Sequence, residues 1–319
     1  MKKTLAILLA AVLLLALCAC GGSGSAAKTY TIGICQLMQH QALDEATRGF
    51  REAVEAGLGA ENVTFDEQNA SGDSATCSTI VTGFVANGYD LIMANATPAL
   101  QAAVSATTEI PILGTSVTDY AGALNITLDA SGATGMNVSG SSDYVPGQLY
   151  VDLLLELVPD AKKVSVLYCS AEPNSVIQSD EFIAALPAGV EAQVFTFSDS
   201  NDMQAVVTSA VEDCDAMYIP TDNTAASNMT IVRNVCEPAG VPVICGEENM
   251  CGAGGLATVS IDYYNIGYVC GQQAVQILKD GASVSAMPIG YASDPVKKYN
   301  ADYASAIGFA IPDGFEAIG

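Results

Sequence analysis

The stretch Asp90–Val104, DLIMANATPALQAAV, holds a whole structural unit. Asp90 to Ala96 is an apolar run of strand length without alternation, and Pro98 to Thr107 follows as a helix, with Thr97 before it and Pro98 at a first helical position. A strand that is apolar throughout is buried on both faces, which calls for parallel neighbours and helical crossovers. Outward from this unit the same alternation recurs. Upstream come strand Tyr30–Gln39, helix Leu43–Ala56, strand Asn62–Asn69 and helix Ser74–Ala86; downstream comes strand Ile110–Val117. A second pass runs strand Lys163–Cys169, helix Ser175–Leu186, strand Glu191–Phe197, helix Asp202–Glu212, strand Ala216–Pro220, helix Thr224–Cys236 and strand Val241–Gly246. Corresponding elements are offset by roughly 125 to 135 residues. The predicted fold class is α/β, with two similar doubly wound parallel-sheet lobes joined by hinge crossings.

A Gly- and Ser-rich linking region, Ala130 to Ser142, separates the passes and leads into an amphipathic helix, Val145–Leu157. A strand Ala257–Asp262 and a helix Asn265–Lys279 suggest another crossing, and the stripe Ile266, Val269, Cys270, Ala274, Ile277 has core-facing helical spacing. The expected division gives residues 30–140 plus about 263–286 to the first lobe, and 141–262 plus about 287–319 to the second.

The first twenty residues have a composition of their own: Lys2 and Lys3, an apolar run from Leu5 to Ala19, and no acid. This is an export signal, too short at 15 residues for the roughly 20 that span a bilayer. It ends Leu17-Cys18-Ala19-Cys20-Gly21-Gly22, similar to a lipobox, so residues 1–20 read as a lipoprotein signal peptide, Cys20 as the lipid anchor and residues 21–29 as a flexible tether. The expected location is extracytoplasmic, held to the membrane by that lipid.

Composition closes off several functions. With 11 Lys plus Arg against 35 Asp plus Glu, a net charge of -24 repels phosphate backbones, so nucleic acid is excluded as a partner. One histidine, His40, provides no His pair for zinc. Eight cysteines follow the signal, several inside apolar strands, and read as buried thiols without disulfides. Gly252-Ala253-Gly254-Gly255 lacks dinucleotide-loop spacing and reads as a turn; there is neither a G-x-S-x-G elbow nor a phosphate loop. No cofactor, metal or catalysis is expected.

Doubly wound sheets bind ligands beyond the carboxyl ends of their strands. There the first half carries His40, Thr97, Pro98, Thr118 and Asp119, and the second carries Glu172, Asn174, Ser175, Thr221, Asp222, Asn223, Glu247 and Asp262. Each is a candidate ligand contact, and such residues also serve as helix caps. Two facing rims of this kind make one cleft.

The strings HQALDEATRGFREAV (40–54), DEQNASGDSATCSTI (66–80), DLIMANATPALQAAV (90–104), IPILGTSVTDYAGA (110–123) and VLYCSAEPNSV (166–176) resemble the tryptophan/tyrosine type of ABC transporter substrate-binding protein. Gln41 stands where that family commonly has Pro, and Tyr120 stands after Thr118-Asp119 where it commonly has Pro. The resemblance implies a type I periplasmic binding protein fold, an ABC permease as partner, and a small solute, an aromatic or other apolar amino acid, held between closing lobes. A zwitterion needs donors for its carboxylate, which Thr97, Thr118, Asn174 and Ser175 offer, and an acceptor for its ammonium, which Asp119, Glu172, Asp222 or Glu247 offers. Tyr120, Tyr144, Tyr263 and Tyr264 are candidate walls for an aromatic side chain. A sugar or nucleoside receptor and a ligand-sensing component are the alternatives.

Overall fold

In the computed structural model, residues 28–291 and 294–318 are described. The signal, the Cys20 anchor and nearly all of the tether lie outside them. The strands are β1 (Tyr30–Gln36), β2 (Val63–Asn69), β3 (Leu91–Asn95), β4 (Ile112–Thr115), β5 (Val138–Ser142), β6 (Lys163–Cys169), β7 (Glu191–Phe197), β8 (Ala216–Ile219), β9 (Val243–Cys245), β10 (Ala257–Ser260), β11 (Gly290–Tyr291), β12 (Val296–Tyr299) and β13 (Glu316–Ala317). The α-helices are α1 (Gln41–Leu58), α2 (Ser74–Ala86), α3 (Thr97–Ala106), α4 (Tyr120–Leu124), α5 (Gly147–Leu157), α6 (Pro173–Ala185), α7 (Ser200–Ala210), α8 (Asn223–Ala226), α9 (Met229–Ala239), α10 (Glu248–Gly254), α11 (Tyr263–Asp280) and α12 (Ala301–Ala306).

These strands form two sheets, ordered β11-β5-β4-β3-β1-β2 and β13-β12-β10-β9-β8-β6-β7. Both share the doubly wound order 2-1-3-4-5, with parallel pairing from β1 to β5 and from β6 to β10. The apolar strands are parallel because helices cover both faces; β3 is buried at every position, LIMAN. One departure is β12, antiparallel to β10, because the chain enters it straight from the first sheet without an intervening helix.

The division differs in detail from the expected one. The boundary at 140/141 falls inside β5, and β11, from the segment assigned to the second lobe, pairs with β5 in the first sheet. The chain crosses between sheets three times: after β5, after β10, and between β11 and β12. The supposed linker thus contains a fully buried strand of the sequence VSGSS. It has almost no hydrophobic side chain, and its hydroxyls are satisfied within the fold. Ser139 Oγ donates to Met287 O at 3.0 Å, Ser141 Oγ to Ile266 O at 2.9 Å, and Ser142 Oγ to Thr118 O at 2.9 Å. Gly140, at φ 140°, has no room for a Cβ against the Gly114 backbone.

Two smaller readings are also corrected. The helix expected over Thr224–Cys236 is two helices, α8 and α9, separated at Ser227–Asn228. Of the glycine-rich run expected as a turn, Gly252-Ala253-Gly254 close α10 and Gly255 caps it, and small residues there permit close packing: a Cβ on Gly254 would stand 2.5 Å from Met229 O.

Each lobe has its own core, one around Phe182, Tyr218, Ile244 and Leu154, the other around Ile32, Ile34, Leu91 and Phe50. Helix α11 belongs with the first lobe: Cys270 and Ala274 pack on Ile32 and Ile34, whereas Val269 and Ile277 of the predicted stripe are only half-buried. It lies against α1 along a seam of glycines, Gly49 from α1 and Gly267 and Gly271 from α11, where a Cβ would collide with the facing backbone. Seven of the eight cysteines are buried, and Cys214 is half-buried. Among the described residues no helix is long and apolar enough to cross a membrane.

Candidate functional site

The carboxyl ends of both sheets face one interlobe cavity, closed down to about 10 Å³. From the first lobe and its crossing it is lined by His40, Leu43, Ser116 and Asp143; from the second lobe by Asn174, Thr221, Asp222, Asn223, Ala226, Glu247 and Met250; and by Tyr263 at the second crossing. The lobes touch across it. His40 Nε2 is 3.1 Å from Asn223 Oδ1, and Ser227 Oγ donates to Met38 Sδ at 3.0 Å.

Four lining residues present buried polar atoms without a protein partner: His40 Nδ1, Ser116 Oγ, Asp143 Oδ1 and Asn174 Oδ1. Buried polar atoms are nearly always paired, because an unpaired one costs about 1–3 kcal/mol. Such a group of orphans around one cavity leaves four hydrogen-bonding positions open to a polar ligand. Backbone strain collects at the same rim. Ala96 (φ 87°) and Ser116 (φ 54°) are non-glycine residues at positive φ just past β3 and β4. Each costs about 1–3 kcal/mol, a cost that persists at functional sites.

The predicted residues divide into those that reach the cavity and those that do not. His40, Asn174, Thr221, Asp222, Asn223 and Glu247 line it. Glu172 is instead consumed as a clamp: Oε1 accepts from Thr224 N and Oγ1, both at 2.8 Å, and Oε2 from Asn223 N at 2.9 Å and Nδ2 at 2.7 Å. It holds the loop that carries Asn223 to His40. Ser175 Oγ donates to Asp222 Oδ2 at 2.8 Å and thereby positions it. Pro98 faces a separate groove at the cleft mouth, while Thr118 and Asp119 face another beside Tyr144 and Tyr291. Asp119 caps α4 through Ala121 N and Gly122 N. Asp262 is exposed and caps α11 through Asn265 N. Thr97 is buried with an unpartnered Oγ1, yet does not line the cavity.

Of the candidate aromatic walls only Tyr263 faces the cavity. Tyr120 is buried with its hydroxyl donating to Ser141 O, Tyr144 donates to Glu181, and Tyr264 donates to Glu52 at the surface. Ser116 and Asp143 were missed. Neither follows an obvious strand–helix boundary, although Ser-Asp-Tyr-Val-Pro after a strand is a recognisable turn.

The electrostatics are dominated by buried acids. Burial, then the neighbouring Glu172, pushes the Asp222 carboxyl up to about 8, although it accepts from Cys169 N at 2.7 Å, Ala225 N at 2.7 Å and Ser175. Burial likewise raises Glu247 to about 7 against two backbone donors, Asn249 N and Met250 N, each at 2.6 Å. Asp143 is raised by burial and partly restrained by the Tyr263 and Thr118 hydroxyls. His40 is lowered by burial, opposed by Asn223 and the nearby acids. No Lys or Arg lines the cavity. It is an acidic, desolvated chamber with apolar patches from Leu43, Ala226 and Met250, suited to a cationic group attached to an apolar body.

Residues 31–315 match the family model of the ABC transporter substrate binding protein. The chain belongs to that family. A curated relative, the tyrosine-binding protein of Clostridioides difficile strain R20291, is 39% identical over 266 residues, spanning 82% of this chain and 76% of its own length. Among solved structures, an ABC domain in complex with L-Trp from Streptococcus pneumoniae matches at 33% identity and TM-score 0.84, covering 90% of this chain and 97% of that one. The ligand-free, open structure of a substrate-binding protein with adhesive properties from Clostridium difficile matches at 36% identity, covering 91% and 99%, with a TM-score of 0.68. This substrate-binding protein therefore superposes better on the complex than on the open form, in keeping with its own His40–Asn223 contact across the cleft. A glucose-galactose binding protein from Geobacillus stearothermophilus, 14% identical at TM-score 0.60 over 85% of this chain and 97% of its own, shares the fold alone, that of the type I periplasmic binding proteins. The family is one of binding proteins for ABC transporters.

Proposed function

We propose that this substrate-binding protein is an extracytoplasmic receptor, anchored by a lipid on Cys20, that holds an aromatic amino acid between its lobes and delivers it to an ABC import permease. The observation carrying this reading is the set of orphaned polar atoms around the interlobe cavity, with Tyr263, Leu43 and Met250 beside them. Ser116 Oγ supplies a hydroxyl donor for a carboxylate, Asp143 an acceptor for an ammonium, and the apolar patches a surface for a side chain. The tyrosine-binding relative and the L-Trp complex support the aromatic class. Thermal shift of the protein against amino acids, sugars and nucleosides tests it: a ligand at 100 times its Kd adds about 2.7 kcal/mol to stability. Tyrosine or tryptophan should shift the transition most. A shift confined to sugars or nucleosides overturns the amino-acid reading.

A further inference from the structure

Cys245 ends β9, and Cys251 lies one turn into α10, the element that follows. Both thiols are free and fully buried in the core of the second lobe. The chain around them folds back on itself. Gly255 N donates to Cys251 O at 2.9 Å and Leu256 N to Val243 O at 2.8 Å, which lays α10 against the strand it came from. Gly255 makes the approach close, because a Cβ on it would stand 2.2 Å from Cys245 Sγ and 3.3 Å from Cys251 Cα. The Cys245 sulfur therefore lies no more than about 5.5 Å from the Cys251 Cα, within the span that a disulfide bridges. The two thiols are hydrogen-bonded to each other. Other cysteines spend their sulfurs on carbonyls: Cys169 Sγ donates to Ser198 O at 3.5 Å and Cys270 Sγ to Gly114 O at 3.4 Å.

What the pair encloses ties it to the site. Between the two cysteines run Gly246, Glu247, Glu248, Asn249 and Met250, and of these Glu247 and Met250 line the interlobe cavity. The segment is held by the Tyr150 hydroxyl, which donates to Gly246 O at 2.7 Å, and by the Glu247 carboxylate, which accepts from Asn249 N and Met250 N. A bond between the two sulfurs closes a short covalent ring directly behind that wall.

We propose that Cys245 and Cys251 form a disulfide as the chain folds outside the cytoplasm, and that this bond stiffens the wall of the cavity carrying Glu247 and Met250. The proposal goes beyond the receptor reading and does not depend on which ligand the cavity takes. Its oxidant is a second disulfide, of a small thiol or of a thiol–disulfide oxidoreductase. One cysteine, as thiolate, attacks a sulfur of that disulfide and expels the first thiol, leaving a mixed disulfide. The other cysteine then attacks the protein sulfur and expels the second. Two protein thiols and one external disulfide become one protein disulfide and two external thiols, with two electrons and two protons passed outward. Burial, then the Cys251 contact, holds the Cys245 thiol well above its usual range, so the finished fold offers little thiolate to attack. The bond therefore belongs to the folding chain, before the pair is enclosed.

Refolding tests this. The purified protein is refolded from urea either in a mixture of reduced and oxidised glutathione or in reductant alone, and free thiols are then blocked with iodoacetamide. Cleavage after Glu247 and Glu248 separates the two cysteines, so a bridge appears as two peptides held together until reductant is added. The oxidised wild type should show that linked pair. Its melting temperature should rise over the reduced form by about 3 to 8 °C more than that of Cys251→Ala does, and amide exchange across the enclosed segment should slow about tenfold. Cys245 and Cys251 both alkylated after oxidative refolding overturns the proposal, and so does a melting shift of equal size in the variant. If Cys251→Ala fails to fold, the wild-type peptide map decides alone.

Discussion

Replacing Glu172 by Gln separates a ligand contact from a structural clamp. The carboxylate is 4% exposed and accepts four hydrogen bonds, two from the Asn223 amides and two from Thr224 N–H and Oγ–H. A Gln amide keeps one acceptor oxygen and turns its NH₂ toward the other donor pair. In either orientation one backbone N–H, of Asn223 or Thr224, faces a donor and loses its partner, while the side-chain donor beside it can rotate away. One orphaned buried N–H costs about 1–3 kcal/mol, and the remaining bonds lose their charge assistance at about 1 kcal/mol more. Removing the charge also relieves Asp222, whose carboxyl Glu172 helps to raise, and returns part of this. The net expectation is a loss of about 2–4 kcal/mol, read from urea unfolding at pH 7 as a lower midpoint with unchanged m-value. Ligand affinity should fall no more than about tenfold, through loosening of the Asn223 loop. Unchanged stability together with abolished binding would refute the clamp and return Glu172 to the ligand.

Three further outcomes are expected. Asp222 and Glu247 have raised carboxyls, so the folded state favours their neutral forms, and the stability this gives, complete below about pH 4, is lost as pH rises through 7 and 8. His40, lowered by burial, acts oppositely below 6.5, so the clear window is pH 6.5 to 8. There ligand-free stability should decline by about 2 kcal/mol in urea titrations, and Asp222→Asn should flatten the slope; a rise with pH contradicts the assignment. Gly267→Val, which drives a side chain into the Ala46 backbone, should lower the melting temperature by well over 5 °C, as circular dichroism would show. Cys20→Ser should move the protein out of the membrane fraction or leave it unprocessed, and continued fatty-acid labelling of that variant would exclude Cys20 as the anchor.

What the sequence made legible follows from where hydrophobicity carries the information. β3, LIMAN, and β6, KVSVLYC, announce themselves because strands buried on both faces must be apolar. β5 does not, because VSGSS reaches the same burial by hydrogen-bonding its hydroxyls to Met287, Ile266 and Thr118, partners up to 148 residues away that no local window contains. The cavity was half legible for a related reason. Residues at strand ends, such as His40, Asn174 and Asp222, are found from periodicity alone, and whether they meet ligand or cap a helix depends on distances such as those around Glu172. Asp143 escaped because its importance lies in an oxygen left unpaired, which only three-dimensional accounting reveals.

The serine strand also sets an order of events in the life of the chain. β5 is made early, yet the Ser139 and Ser141 hydroxyls find these acceptors only when Met287 and α11 arrive, after residues 147 to 260, the greater part of the other lobe, have been delivered. A chain emerging N-terminus first, from a ribosome or an export channel, therefore cannot finish the lobe it starts with. For that interval β5 offers unsatisfied hydroxyls and an unpaired edge to whatever chaperone attends it, so the half of the chain made first stays open until most of the other half has been made.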